Sequence, residues 1–147
     1  MSNEIVDIGL FGIANFINLA AALLLIARVR GAVRIERDLG LAIVVMIVPV
    51  FLGIAHNIAA GRELWTILLP SLLLLFLLVE LLLDYILKLE FRYTRLLGPY
   101  LLTYYLGLMA MIGYSFGIGD VFGCVTLATY FINLAATGYS YSRVKHG

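Results

Sequence analysis

The chain has 147 residues, of which 63% are hydrophobic and only 13% are charged, and its formal net charge is +1. A soluble domain of this length usually carries about a quarter charged residues, so the composition argues against a soluble domain. The single cysteine, Cys124, excludes an internal disulfide and a CxxC redox centre.

Five predominantly apolar stretches predict the fold. A stretch of about 18 or more apolar residues is long enough to cross the hydrocarbon core of a membrane as a helix. The short connectors require neighbouring helices to be antiparallel. We therefore predict a single domain over residues 1–147, an all-α polytopic integral membrane protein built as a bundle of five transmembrane helices. The predicted spans are residues 8–27, 41–60, 64–87, 96–116 and 121–141.

The basic residues predict the orientation of these spans. Only Arg62 lies between the second and third spans, whereas nine of the ten Lys and Arg residues lie at the other ends. Short loops rich in Lys and Arg stay on the cytoplasmic side, so we predict the N-terminus outside and the C-terminus inside, in the cell membrane. The nine are Arg28, Arg30, Arg34, Arg37, Lys88, Arg92, Arg95, Arg143 and Lys145.

The first span is predicted to stay in the protein. The stretch MSNEIVDIGL that begins it is acidic, whereas a secretory signal peptide begins with a positively charged region.

The six-residue sequence FINLAA occurs twice, at residues 16–21 and 131–136, each time six residues before a basic tripeptide. The first and fifth spans run in the same direction, so Asn18 and Asn133 are expected at the same depth. Two explanations remain open. Span five is a partial duplication of span one, or both helices converged on small-residue faces that let helices approach closely.

Small residues predict where helices approach closely. Gly113 and Gly117 have the GxxxG spacing that is common in membrane helix pairs, although Gly is frequent in such helices. Close contacts are also expected at Gly9, Gly12, Ala20, Ala21, Ala135, Ala136 and Gly138.

A layer of polar or helix-breaking residues is predicted near the middle of the membrane. Counting about 1.5 Å of rise per residue from the basic anchors places one such position in every span, at a depth of about 12–18 Å. Pro49 in span two would free the carbonyl of Val45. The polar members are Asn18, Glu80, Tyr104, Tyr105 and Asn133.

Glu80 is the main candidate for a functional residue. A carboxyl in the hydrocarbon region should face the bundle interior or a wet cavity, where its neutral form is favoured. Asp84 and Lys88 follow at helical spacing, which predicts an Asp84–Lys88 pair and a polar path for protons or cations from the inside. Three interpretations of the layer remain open: an interhelical hydrogen-bond cluster, a ligand or ion site, and a catalytic centre, of which the last is the least favoured.

His56 and Asn57 form a second candidate site near the outer end of span two, close to Arg62 and Glu63. The alternative is an interfacial histidine that contacts headgroups and water. A metal site needs more ligands than this, so neither a metal nor another cofactor is predicted.

The predicted function is that of a transporter or of a ligand- or ion-binding bundle that uses Glu80. The alternative is a structural or accessory subunit of a membrane complex. No nucleophile elbow, P-loop, dinucleotide fingerprint or HExxH motif is present, so enzymatic activity is not favoured. The expected partners are the lipid bilayer, further copies or a larger membrane complex, and an unidentified small molecule. Nucleic acid is not expected, because the basic loops are no larger than orientation requires.

Overall fold

The structure is a computed structural model in which the backbone of residues 1–146 and the side chains of residues 1–143 are described. Five helical stretches are long and apolar enough to cross a membrane, which confirms the all-α class and the number of candidate spans. The orientation stays a prediction, and the side chain of Lys145, which contributed to it, lies outside the described residues. The helices are α1 (Asn3–Val29), α2 (Val33–Val45), α3 (Ile47–Ala59), α4 (Trp65–Glu80), α5 (Leu97–Ile118) and α6 (Asp120–His146).

The helices extend beyond the apolar stretches that predicted them. Helix α1 begins at Asn3 rather than at Ile8, and its Ser2 side chain accepts a hydrogen bond from the Ile5 amide. Glu4 lies in its first turn, where an acidic side chain suits the helix dipole. Helix α2 likewise begins at Val33, inside the charged loop. Hydropathy marks the part of a helix that suits hydrocarbon, whereas hydrogen bonding continues past it.

The second span is interrupted at Met46, between α2 and α3. Pro49 has no backbone N–H and its ring crowds the carbonyl of Val45, four residues back, which disrupts the α-helix at this turn. The Met46 amide instead donates to the carbonyl of Ile43, only three residues back. Pro49 therefore divides the second span into two helical segments, α2 and α3, that join at Met46.

The helices close into a ring in which α1 packs against α2, α3, α5 and α6, while α4 packs against α3 and α5. Between helices that lie in a membrane, van der Waals packing and interhelical hydrogen bonds are the main stabilising terms. The core lies along α1 and the facing sides of α3, α4 and α5. It includes Ala14, Ile17, Val50, Leu73, Leu77, Leu108 and Met111. We call the end of the bundle that carries Arg28 and Arg92 the Arg92 end, and the opposite end the Arg62 end.

The two helices that carry FINLAA pack side by side and parallel. The Asn15 amide donates to the hydroxyl of Thr126 at 3.1 Å, and the Asn18 amide donates to that of Thr129 at 3.0 Å; both pairs are 111 residues apart. The two copies of the repeat are 115 residues apart (131 minus 16). Asn133 is therefore about one turn, or roughly 6 Å, beyond the level of Asn18. The parallel direction was predicted correctly, but the equal depth was wrong.

Close helix contacts occur at different glycines from most of those predicted. A Cβ atom added at Gly9, Gly12 or Gly138 would meet nothing within 4 Å. A Cβ added at Gly107 would lie 3.1 Å from the Leu72 carbonyl oxygen, so the backbones of α4 and α5 lie close together there. Of the GxxxG pair, Gly117 accommodates the Trp65 ring, and Gly113 is in ordinary contact with Leu69. The predicted close contact at Gly9, Gly12 and Gly138 was wrong because these residues lie on outward faces.

Candidate functional site

A cavity of about 150 Å³ lies within the bundle at the Arg92 end. Tyr93, which is 86% exposed, stands at its edge, so the cavity opens to the surface there. The lining combines apolar residues with polar and aromatic ones. The apolar residues are Ile17, Ala21, Leu24, Leu25, Ile43, Leu97 and Leu101, and the polar and aromatic residues are Arg28, Phe76, Glu80, Arg92, Tyr93, Tyr100, Tyr104, Thr137, Ser140 and Tyr141.

Glu80 lines this cavity and is only 8% exposed. It is the last residue of α4, and the next six residues, Leu81–Ile86, form a wider π-helical turn. In that turn the Leu87 amide donates to the carbonyl of Leu82, five residues back, at 2.8 Å. The Oε2 atom of Glu80 has no hydrogen-bond partner among the described side chains and backbone. Helices with such wide turns are frequently found at functional sites.

Two ion pairs flank the mouth of the cavity. Arg92 binds Asp84 through two hydrogen bonds of 2.8 and 3.2 Å, and Arg28 binds Glu36 at 2.6 Å. Burial lowers the pKa of Arg92, but the hydrogen bond and the charge of Asp84 more than offset this. The pKa of Arg92 is therefore raised, and this guanidinium stays charged.

The predicted Asp84–Lys88 pair was wrong. The π-helical turn ends at Ile86, and Lys88 has a φ of 50°, in the left-handed region that reverses the chain. This reversal ends the helical spacing that would place Lys88 over Asp84. It returns Arg92 to the same face, where a guanidinium holds a carboxylate through two bonds.

Aromatic rings form one wall beside Glu80. The ring of Phe76 lies 5.0 Å from that of Tyr104 and 6.1 Å from that of Tyr100, measured between centroids. The Tyr100 and Tyr104 rings are stacked with an angle of 14° between their planes. The Tyr104 hydroxyl donates to Oδ1 of Asn133 at 2.7 Å, which fixes the ring. This hydrogen bond restrains the Tyr104 ring within the aromatic wall.

The structure divides the predicted mid-depth layer into separate groups. Only Glu80 and Tyr104 line the cavity, and Asn133 lies behind Tyr104. Asp84 reaches the cavity indirectly, through Arg92. Asn18 lies instead in the seam between α1 and α6, and Tyr105 packs against the core outside the cavity wall. The residues predicted to form one layer therefore do not form one group, because their side chains point to different neighbours around each helix.

A second polar network lies at the Arg62 end. Arg62 binds both carboxylate oxygens of Asp7, at 2.7 and 3.0 Å, and the Tyr114 hydroxyl donates to the same carboxylate. Asn57 accepts from Arg62 and donates to the Thr66 carbonyl. The hydrogen bonding of Arg62 to the Asp7 carboxylate is the largest cause of the raised pKa of Arg62, so the guanidinium stays charged. These groups satisfy one another and tie α1, α3 and α5 together.

His56 and Asn57 do not share a site. Consecutive helical residues point about 100° apart. Asn57 is fully buried in the network around Arg62, whereas His56 lies near the surface with its Nε2 atom 3.0 Å from Oδ1 of Asn3. Within the described part of the chain, no three His, Cys, Asp or Glu side chains form a group that could hold a metal ion.

Several residues of the Glu80 cavity and of the network around Arg62 were not among the predicted site residues. Tyr100, Thr137 and Ser140 line the cavity, and each lies three or four residues from another lining residue of its helix, a spacing that marks one face. Asp7 could have been paired with Arg62 from the sequence, because it is an acidic residue at the same end of the bundle as this lone arginine. Sequence patterns give candidates of this kind without showing which of them meet.

The fold and the cavity define a class: an all-helical bundle whose five apolar spans suit a membrane and whose interior holds a buried carboxyl beside a small cavity. Comparisons of the chain with protein-family models, curated proteins and solved structures found no match.

Proposed function

We propose that this chain is an integral membrane protein that takes up a small ligand from the inner side of the membrane and binds it at Glu80. One observation carries the proposal: the buried Glu80 carboxyl has an oxygen without a partner among the described residues and lies in the wall of a cavity. Binding at this position suits a transporter or a sensor of the ligand.

The unpartnered oxygen favours a binding site over a structural cluster. A buried polar group without a hydrogen bond costs about 1–3 kcal/mol, and more when it is charged. A carboxyl that only joined helices would recover this cost by using both oxygens, as Asp7 and Asp84 do. A ligand in the cavity would supply the missing partner of Glu80.

The orientation follows from the basic loops. Both arginines that line the cavity, Arg28 and Arg92, belong to the Arg92 end, which carries nearly all of the Lys and Arg residues. The positive-inside rule then places the mouth of the cavity on the inner side. The orientation predicts that a reagent unable to cross the membrane reaches the cavity only from that side.

A surface groove favours a second candidate, an accessory subunit that binds another membrane protein. This groove lies between α1 and α6 and is lined mostly by small and apolar residues. Small residues at such positions allow a partner helix to approach closely. The lining residues are Ala22, Ile26, Arg30, Ile132, Ala135, Ala136 and Tyr139.

Thermal unfolding of the full chain in detergent tests the first candidate against the second. A panel of ions, metabolites and lipids is expected to contain a compound that raises the Tm of the wild type. Glu80→Gln should remain folded and lose this response, because the amide keeps the size of the side chain but not its charge. Ser140→Leu, which reduces the cavity, should lose it as well.

Glu90→Gln is the matched control, because it removes the same charge from an exposed residue that does not line the cavity. It should respond as the wild type does. If no compound in the panel stabilises the wild type and Glu80→Gln is at least as stable, Glu80 is a hydrogen-bonding residue of the interior, and the accessory-subunit candidate replaces this proposal.

A further inference from the structure

We propose that the ligand of the Glu80 cavity is a small organic cation of the ammonium class, with apolar substituents on its nitrogen. This inference rests on the proposed function, since it names the chemistry of the ligand that the same cavity would take.

The charges of the cavity wall call for one positive charge. Two basic side chains and one acidic side chain line it: Arg28, Arg92 and Glu80. Arg28 is paired with Glu36 and Arg92 with Asp84, whereas Glu80 has no ion pair among the described side chains. Burial favours the neutral form of Glu80 while the cavity is empty, and a cation bound beside it would stabilise the ionised carboxylate. An anionic ligand would oppose this ionisation, and a neutral ligand would not favour it. A monocation brings the site to neutrality in a region of low dielectric constant.

The aromatic wall suits a cation. The faces of Phe76, Tyr100 and Tyr104 carry negative partial charge, and these three rings are grouped with centroid separations of 5.0–6.4 Å. Aromatic groups arranged beside a carboxylate attract ammonium ions, most strongly when water is excluded. Because Tyr104 is held by Asn133, its ring is in place before a ligand arrives.

The apolar wall and the size of the cavity select the kind of cation. Ile17, Ala21 and Leu24 present hydrocarbon, which suits methyl or short alkyl groups on nitrogen. A cavity of about 150 Å³ is in the range that holds a molecule about the size of benzene. Inorganic cations prefer several oxygen ligands, whereas this wall offers one carboxylate among hydroxyls, rings and alkyl groups.

A pair of probes of nearly equal shape tests the charge requirement. Choline carries a trimethylammonium group, and 3,3-dimethylbutan-1-ol is its uncharged carbon analogue. We expect calorimetry on the full chain in detergent to show choline binding at least about tenfold more tightly than the alcohol, the difference that a charge-assisted contact typically gives. Glu80→Gln should weaken choline binding by a similar factor and leave the alcohol unchanged, and Glu90→Gln should change neither.

Tyr100→Leu provides a second variant that does not depend on the carboxyl. It should weaken choline by about threefold or more while affecting the alcohol less, because it removes a ring face but keeps an apolar wall. The inference is overturned if the alcohol binds as tightly as choline, if sodium competes equally with choline, or if neither probe binds. In each of these cases the thermal response to the wider panel decides separately whether the cavity binds a ligand of another class.

Discussion

Replacement of Asp7 by Asn is expected to lower the free energy of unfolding by about 2 kcal/mol, because it removes the charged partner of a part-buried, hydrogen-bonded ion pair. The side chains of Arg62 and Asp7 are only 14% and 16% exposed. Arg62 keeps its hydrogen bond to Asn57 in the variant, but its charge loses the carboxylate. Tyr114 loses a charged acceptor at the same time. Three helices would therefore be joined less firmly at the Arg62 end.

Unfolding of the detergent-solubilised chain by a denaturing detergent measures this change. Asp38→Asn is the matched control, since the Arg37–Asp38 pair is 3.5 Å long and both side chains are more than half exposed. Exposed pairs contribute about 0–1 kcal/mol, so the control should unfold almost as the wild type does. Equal effects of the two substitutions would contradict the assignment of Asp7 to a buried network.

Gly107→Leu is expected to destabilise the bundle by about 3 kcal/mol, the upper part of the usual range for overpacking a close contact. A Cβ at Gly107 would lie 3.1 Å from the carbonyl oxygen of Leu72 and 3.2 Å from the Cα atom of Leu73. Both are backbone atoms, so α4 and α5 must separate to admit a side chain. Gly107→Ala should cost less, about 1–2 kcal/mol, for the same reason.

The same unfolding assay distinguishes this contact from a general intolerance of glycine replacement. Gly12 lies in the interior of α1 with open space around it, and Gly12→Ala should be neutral or stabilising by up to about 1 kcal/mol, because alanine favours the helix. If Gly107→Leu is as stable as the wild type, the close approach of α4 and α5 at this position is incorrect.

The spans were predictable because hydropathy is a property of neighbouring residues. All five emerged from the composition of single stretches. The joint near Met46 was not predicted, although the position of Pro49, whose effect on the Val45 carbonyl was expected, accounts for it. Glu80 could be singled out for a similar reason, since a carboxyl within an apolar run must face the interior of the bundle. None of these inferences requires knowledge of how the helices pack.

Partners across the bundle were not predictable, because they depend on how each helix is rotated and shifted. Asn18 contacts Thr129 and does not lie level with Asn133. The packing of α1 against α6 is shifted by about one helical turn from the alignment of the two FINLAA copies. Asp84 meets Arg92 because a π-helical turn and a chain reversal at Lys88 end the regular spacing. Helical periodicity assumes a uniform helix, and it fails where the winding changes.

Thiol labelling of Ser140→Cys would test the central claim most directly, that a cavity at Glu80 is reached from the inner side of the membrane. The variant would be made with Cys124 replaced by Ala, and the control Ala14→Cys would place a thiol in the closed core, away from the cavity. The reagent would be a trimethylammonium-ethyl methanethiosulfonate, which does not cross membranes.

We predict that this reagent modifies Ser140→Cys in inside-out vesicles and not in intact cells, and that Ala14→Cys stays unmodified in both. Modification from the outside alone would contradict the orientation. Absence of modification from either side, with the variant folded, would contradict an open cavity at Glu80 and with it the proposed function.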